Sequence, residues 1–297
     1  MADCLIIKER SRTMLRKVSL IAVLCLLLPT KVFAEEASDE KRIKSIPVGS
    51  SSYHSFSIPA TDEFSLKAIY RSKYKIEAPS VILVHEAKRD QWSWGSDLCA
   101  EFLHGNINIL HYDSRGHGIS VKGTPIIKNH KIVGYVDGYK VTWRDFCSRG
   151  EDNGWNKMTG DLGLMVDWLR RNDRHIKGEC AIIGAGVGAN TALRYAADDE
   201  KIAGLVLLSP SLNYNDVKTT EPAHKWNGRP CLIICSRKDS KAVESARKLQ
   251  QIMREVAGNN RDNIRLMILE GAARGTDMLD EKVNREIVAW VTNLLNE

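Results

Sequence analysis

Strands alternating with helices from residue 80 onward predict an α/β fold, with a mostly parallel central sheet, helices on both faces and an antiparallel start. Three observations carry this. Ser80 to Val84 is apolar at consecutive positions, as a strand covered on both faces should be. Met158, Leu162, Met165 and Leu169 recur on one helical face. The chain has 297 residues, 43% hydrophobic and 27% charged, which is ordinary globular composition and excludes collagen-like, coiled-coil and wholly disordered chains. That length buries a full core as one large domain or two small ones, and no internal repeat divides it.

The elements follow in order. Basic residues run up to Arg16 and Lys17, the apolar run Val18 to Leu28 follows, then Pro29 and the small-residue site Val32-Phe33-Ala34 before Glu35 and Glu36. That order is the pattern of a secretory signal over residues 1–34. The run is short of the roughly 20 residues a membrane span needs. Met1 and Met14 both stand as starts. Cleavage after Ala34 predicts a secreted or periplasmic protein with a flexible leader at 35–59. It also removes six Lys/Arg and two acids from a chain of net charge +6, so the mature chain is near neutral. A near-neutral chain gives no support for a nucleic-acid partner.

The main domain is expected at 60–297. Strands are predicted at Ser65 to Tyr70, Ser80 to Val84, Asn106 to Tyr112, Ala181 to Ile183, Leu205 to Leu208, Leu232 to Ile234 and Ile264 to Leu269. Helices are predicted from Trp94 to His104, around Met158 to Leu169, from Ala189 to Ala197 and from Ser240 to Val256. A last helix, carrying Val283, Ile287, Val291 and Leu294, has Thr276 as its expected N-cap. Residues 119–155 read as an irregular insertion with a hairpin around Lys128-Asn129-His130. Of the five cysteines beyond residue 34, Cys180, Cys231 and Cys235 sit in strand-like runs. Cys231 and Cys235 lie about 13 Å apart along one strand, too far to bridge. Cys99 and Cys147 leave one bridge open, and no Cys-His spacing resembles a zinc site.

In such sheets ligands sit outside the carboxyl ends of the strands. The segments there are His85-Glu86-Ala87, Asp113-Ser114-Arg115-Gly116-His117-Gly118-Ile119-Ser120, Gly184-Ala185-Gly186-Val187-Gly188-Ala189, Ser236 to Asp239, and Glu270 to Asp277. The Asp-x-Arg-Gly-His-Gly-x-Ser run, the strand–Gly-x-x-x-Gly–helix turn and the Leu208-Ser209-Pro210 element together resemble the α/β-hydrolase family, above all its small serine-hydrolase and serine-aminopeptidase-like members. The resemblance covers about residues 60–297.

That resemblance implies a nucleophile elbow Gly-x-Ser-x-Gly, a strained turn lifting a serine above the sheet, and an acid and a histidine after the last two strands. Here the elbow position is Gly186, the histidine position is Arg274, and the acid position keeps Asp239. Glycine cannot form an acyl-enzyme. Arginine stays protonated and cannot act as a general base. What the resemblance leaves is an oxyanion hole, built by the Val187 N–H with a second N–H from the Glu86-Ala87 loop.

The expected protein is therefore an exported pseudoenzyme with a pocket for a small-molecule or peptide ligand. It would have no cofactor, no metal, and no membrane association once the signal is gone. One alternative is an active esterase or peptidase using an unconventional nucleophile, with Ser209 and Ser211 as candidates beside their plainer role as turn residues. Another is a dinucleotide binder, because Gly184-Gly186-Ala189 fits Gly-x-Gly-x-x-Gly/Ala. Against that, the next strand ends in Ser209-Pro210 where an acid should grip the ribose. His85, Glu86, Asp113 and His117 could converge on a metal, although the resemblance makes them hydrogen-bonding groups. Trp92, Trp94, Trp143 and Trp155 could rim a pocket or pack the insertion on the core.

Overall fold

A computed structural model describes residues 51–60, 62–73, 78–123, 125–128, 131–138, 140–147, 153–172 and 180–296. The signal-like segment 1–34 and the first part of the leader lie outside them. The rest of the expected leader is not a loop. Residues 51–59 form strand β1 (Ser51–Pro59), antiparallel to β2 (Ser65–Lys73) over nine residue pairs. The cause is a period-two pattern hidden among serines: Phe56 and Ile58 turn inward onto the core, and Phe56 stacks on Trp168 at 3.8 Å.

The central sheet has eight strands in the order β1-β2-β4-β3-β7-β8-β11-β12. The remaining six are β3 (Ser80–Val84), β4 (Asn108–Tyr112), β7 (Cys180–Ala185), β8 (Ile202–Leu208), β11 (Cys231–Ser236) and β12 (Ile264–Leu269). β2 runs antiparallel to β4, and every later pairing in this sheet is parallel. Strands β3, β4, β7 and β11 are buried at every residue, which is why they read as continuous apolar runs.

Among the described residues, six helices cover the two faces: α1 (Ser96–His104), α2 (Gly154–Asn172), α3 (Val187–Ala197), α4 (Thr220–Lys225), α5 (Ser240–Val256) and α6 (Glu281–Asn296). One core joins α2, α3, α4 and α5 to side chains such as Ile82 and Val84. The other joins α1 and α6 to Val81 and Leu83. Alternate residues of one strand thus feed opposite cores. Thr276 does not cap α6. It lies in a separate turn of 3-10 helix, Gly275–Met278, and Asp280 instead accepts from the Val283 N–H at 2.8 Å.

The insertion holds the expected hairpin, β5 (Pro125–Lys128) with β6 (Lys131–Tyr135), antiparallel and closed at its base by a bridge between Lys122 and Val141. A second small hairpin, β9 (Asn213–Tyr214) with β10 (Val217–Lys218), precedes α4. Cys99 is buried and Cys147 exposed, with no disulfide between them. Cys180, Cys231 and Cys235 are buried.

Candidate functional site

Sheet register decides what meets at the carboxyl edge. β3 has β4 on one side and β7 on the other, so the chain leaves it in opposite directions and a crevice opens above it. Val84 pairs with Gly184. Two residues further along each strand, Glu86 and Gly186 therefore come side by side. Likewise β11 and β12 are neighbours, and the loops beyond them carry Asp239 and Arg274.

Gly186 takes φ 52° and ψ −119° between β7 and α3, a conformation that costs a residue with a side chain and comes freely to glycine. Its N–H donates to the Leu208 carbonyl at 2.9 Å, which holds the turn against β8. No side chain caps α3 at this position, so its first N–H groups, Val187's among them, have no side-chain acceptor at the cap.

The space above Gly186 is taken by Glu86. A Cβ on Gly186 would lie 2.8 Å from the Glu86 Cβ, closer than two such carbons approach. The Glu86 carboxylate extends past Gly275 to the next loop. There its Oε1 accepts from the Thr276 N–H at 3.2 Å and the Thr276 hydroxyl at 2.8 Å, with the Arg89 Nε 3.8 Å away. The Glu86 side chain is 15% exposed. Arg89 in turn pairs with Asp277, which ties the loop after β3 to the loop after β12 a second time.

Asp239 and Arg274 meet directly, Nε to Oδ2 at 2.6 Å. The Asp239 carboxylate is 8% exposed, and its Oδ1 also accepts from the Ala242 N–H at 3.3 Å, so it caps α5 as well. Arg274 is 65% exposed and stands at the rim. A groove of about 570 Å³ opens beside these loops, lined by Ser236, Leu269, Ala273, Asp277, Met278 and Val283.

The insertion supplies the opposite wall. Ala87 and Val187 share a small apolar cluster with Trp143, Phe146, Trp155, Met158, Tyr214 and Val217. Trp143 stacks on His117 at 5.9 Å, and Trp155 meets Tyr214 edge-on at 5.2 Å. Two of the four tryptophans singled out by sequence therefore border the elbow. Trp94 is instead buried with α1, and Trp92 is exposed near Arg71 and His111.

The residues that looked like metal ligands are close but engaged elsewhere. The His85 Nε2 accepts from the Ser114 N–H at 3.0 Å, so its Nδ1 carries the proton and donates to the Glu86 carbonyl at 2.8 Å. The Asp113 carboxylate accepts the N–H groups of Gln91 and Ile119 at 2.8 and 2.9 Å. His117 bonds the Arg115 carbonyl through Nδ1 at 2.8 Å. Burial drives His85 down to about 3 and His117 to about 4, so both are neutral. Among the described residues no three His, Cys, Asp or Glu side chains are grouped to hold a metal.

The two candidate serines are structural in the same sense. The Ser209 Oγ accepts from the Gly275 N–H at 3.1 Å and lies against the Met278 sulfur. Ser211 and Asn190 exchange two bonds, at 3.0 and 3.1 Å. The dinucleotide-like glycines have packing reasons of their own. Gly188 lies so close to the backbone of Val84 and His85 that no Cβ fits, which fixes α3 against β3. Sequence reasoning offers Glu86 to the oxyanion loop or to a metal, and Thr276 to a helix cap; their contact with each other, and the register that points Glu86 at Gly186, depend on the strand order.

The family model described as serine aminopeptidase, S33, matches residues 77–288. Among solved structures, the Pyrococcus furiosus esterase Pf2001 superposes with TM-score 0.59 at 17% identity, covering 82% of this chain and 90% of that one. A thermostable carboxyl esterase from Bacillus coagulans gives 0.61 at 12% identity, covering 82% and 98%. An acetyl xylan esterase from Paenibacillus sp. R4 gives 0.62 at 10%, covering 85% and 87%. No curated protein matches the chain in sequence. At these identities the structural likeness establishes the α/β-hydrolase fold.

Proposed function

We propose, for a chain that belongs to the serine aminopeptidase (S33) family of hydrolases, that it is an exported member which binds a small-molecule or peptide ligand at the carboxyl edge of its sheet and does not turn it over. The observation that carries this reading is the pair of replacements around one crevice. Gly186 brings no oxygen to the elbow, and the Glu86 side chain fills the space a nucleophile would use. Arg274 forms an ion pair with Asp239 where a general base would have to accept a proton. A guanidinium does not deprotonate in the working range, so it neither activates a nucleophile nor protonates a leaving group.

The chain's own groups still suit binding. The N–H groups opening α3 and the Arg274 cation favour a carbonyl or carboxylate oxygen. The groove along Leu269, Met278 and Val283 offers an apolar wall. Export rests on the basic, apolar and small-residue order of residues 1–34, and it predicts a secreted or periplasmic protein beginning at Glu35.

The test is ester hydrolysis together with labelling by a fluorophosphonate, applied to the wild type and to Glu86→Gly/Gly186→Ser/Arg274→His. A silent, unlabelled wild type beside a labelled triple variant is the expected result. Labelling or turnover by the wild type overturns the reading. N-terminal sequencing of exported protein tests the processing, and an intact Met1 or Met14 would overturn it.

A further inference from the structure

The hairpin β5–β6 belongs to neither core, and its chemistry is not used at the elbow. Six large hydrophobic side chains are exposed among the described residues, and three of them fall between the ends of the bridge that closes this hairpin: Ile126, Val133 and Val136, at 40, 57 and 47%. Single exposed apolar residues are ordinary, but three within one short hairpin segment point to a surface that is covered in use.

Charge says what covers it. Between Lys122 and Val141, the pair that closes the hairpin's base, the sequence carries Lys122, Lys128, Lys131 and Lys140 against Asp137 alone, a net +3. Residues 51–297 hold 34 Lys/Arg against 31 Asp/Glu, so this one hairpin accounts for the net charge of the whole fold. Lys122 is paired with Glu63 at 2.6 Å. Lys128 and Lys140 are exposed. An anionic partner complements this local excess of positive charge.

We propose that this hairpin docks the protein on an anionic lipid bilayer. Val133, Ile126 and Val136 enter the boundary between headgroups and acyl chains, and the lysines meet lipid phosphates. A nucleic acid would use the lysines and leave the apolar side chains exposed; a bilayer interface takes both. This departs from the expectation of no membrane association once the signal is gone, and surface docking needs no spanning segment. The proposal does not depend on whether the elbow is silent.

The experiment is co-sedimentation of the full chain with vesicles of phosphatidylcholine alone or with 30% phosphatidylglycerol. Wild type is compared with Lys128→Gln/Lys140→Gln and with Val133→Asp. All three carry the same N-terminal segment, so any binding through it is common to them. Wild type is expected to partition more strongly to the anionic vesicles, and less so as salt is raised. At about fivefold per lysine, the double variant should bind roughly 25-fold more weakly. Val133→Asp should weaken binding to the anionic vesicles as well. Unchanged thermal melts would keep these losses from being read as misfolding. Equal partition of wild type and the lysine variant overturns the proposal. So does equal binding to neutral vesicles, or a hairpin-dependent dimer by size exclusion with no lipid binding.

Discussion

Glu86 and Thr276 are 190 residues apart in sequence and joined by two hydrogen bonds, the Thr276 N–H and hydroxyl both donating to one carboxylate oxygen. Together with Arg89–Asp277, this contact fastens the loop after β3 to the loop after β12 across the mouth of the crevice. Hydrogen bonds to a charged, largely buried group contribute about 1.5–3 kcal/mol. Thr276→Val keeps the shape and the backbone donor but removes the hydroxyl. It should lower stability by about 1–2 kcal/mol, a fall of several degrees in Tm. Thr276→Ser, which keeps the donor, should sit close to wild type in the same melt.

The Glu86 side chain also sets the order in which chemistry can be restored. Gly186→Ser with Arg274→His supplies both missing groups, yet the serine's Cβ would lie 2.8 Å from the Glu86 Cβ. That double variant should remain silent in ester hydrolysis and melt below wild type, because overcrowding of this kind costs about 1–3 kcal/mol. Adding Glu86→Gly removes the obstructing carbon. The triple variant should regain stability relative to the double and react with a fluorophosphonate. Activity in the double variant alone would show that Glu86 moves aside without cost.

Acid should destabilise this fold through its histidines. Burial lowers His85 to about 3, and His111 and His117 to about 4. Unfolded, each titrates near 6.5, so between roughly pH 6.5 and 4 the unfolded chain binds more protons than the folded one. Stability therefore falls as pH drops through that window, by about 1.4 kcal/mol per unit for each histidine. Urea unfolding at pH 7, 6 and 5 measures the slope. His117→Gln should make it shallower by about one histidine's share, and a slope that did not change would place His117 in contact with water.

The parts of the fold that could be read from sequence were those in which one element declares its own environment. Ser80–Val84 and Ile264–Leu269 have the predicted bounds, and Ser240–Val256 forms the predicted helix with Asp239 at its cap. β1 was missed because four serines masked the alternation of Phe56 and Ile58. At the candidate site, Gly186, Asp239 and Arg274 are legible because each follows a strand at a position the resemblance gives to the triad. The plug at Glu86 is not, since it depends on Val84 pairing with Gly184 across two strands about a hundred residues apart. The Asp239–Arg274 pair is legible only once β11 and β12 are known to be neighbours. Local chemistry is written locally; contacts between loops are set by strand order.

The Asp-x-Arg-Gly-His-Gly-x-Ser run also has a structural duty that can be separated from any role in binding. The Arg115 side chain is 3% exposed and bonds the Asp161 carboxylate, itself 2% exposed, through Nε at 2.6 Å, and Asp62 through Nη1 at 2.6 Å. Burial raises the Asp161 carboxyl above its usual range even with this partner present. Arg115→Met would leave a buried carboxylate without its main counter-charge and should cost about 3–5 kcal/mol. The loss should shrink at acid pH, where Asp161 is neutral and needs no partner. Arg115→Met/Asp161→Leu removes both charges and should recover most of the stability, since a buried pair often contributes little over apolar side chains of similar size. Urea unfolding of the two single variants and the double closes the cycle. Additive losses would mean that Asp62, not Asp161, is the partner that holds Arg115 in place.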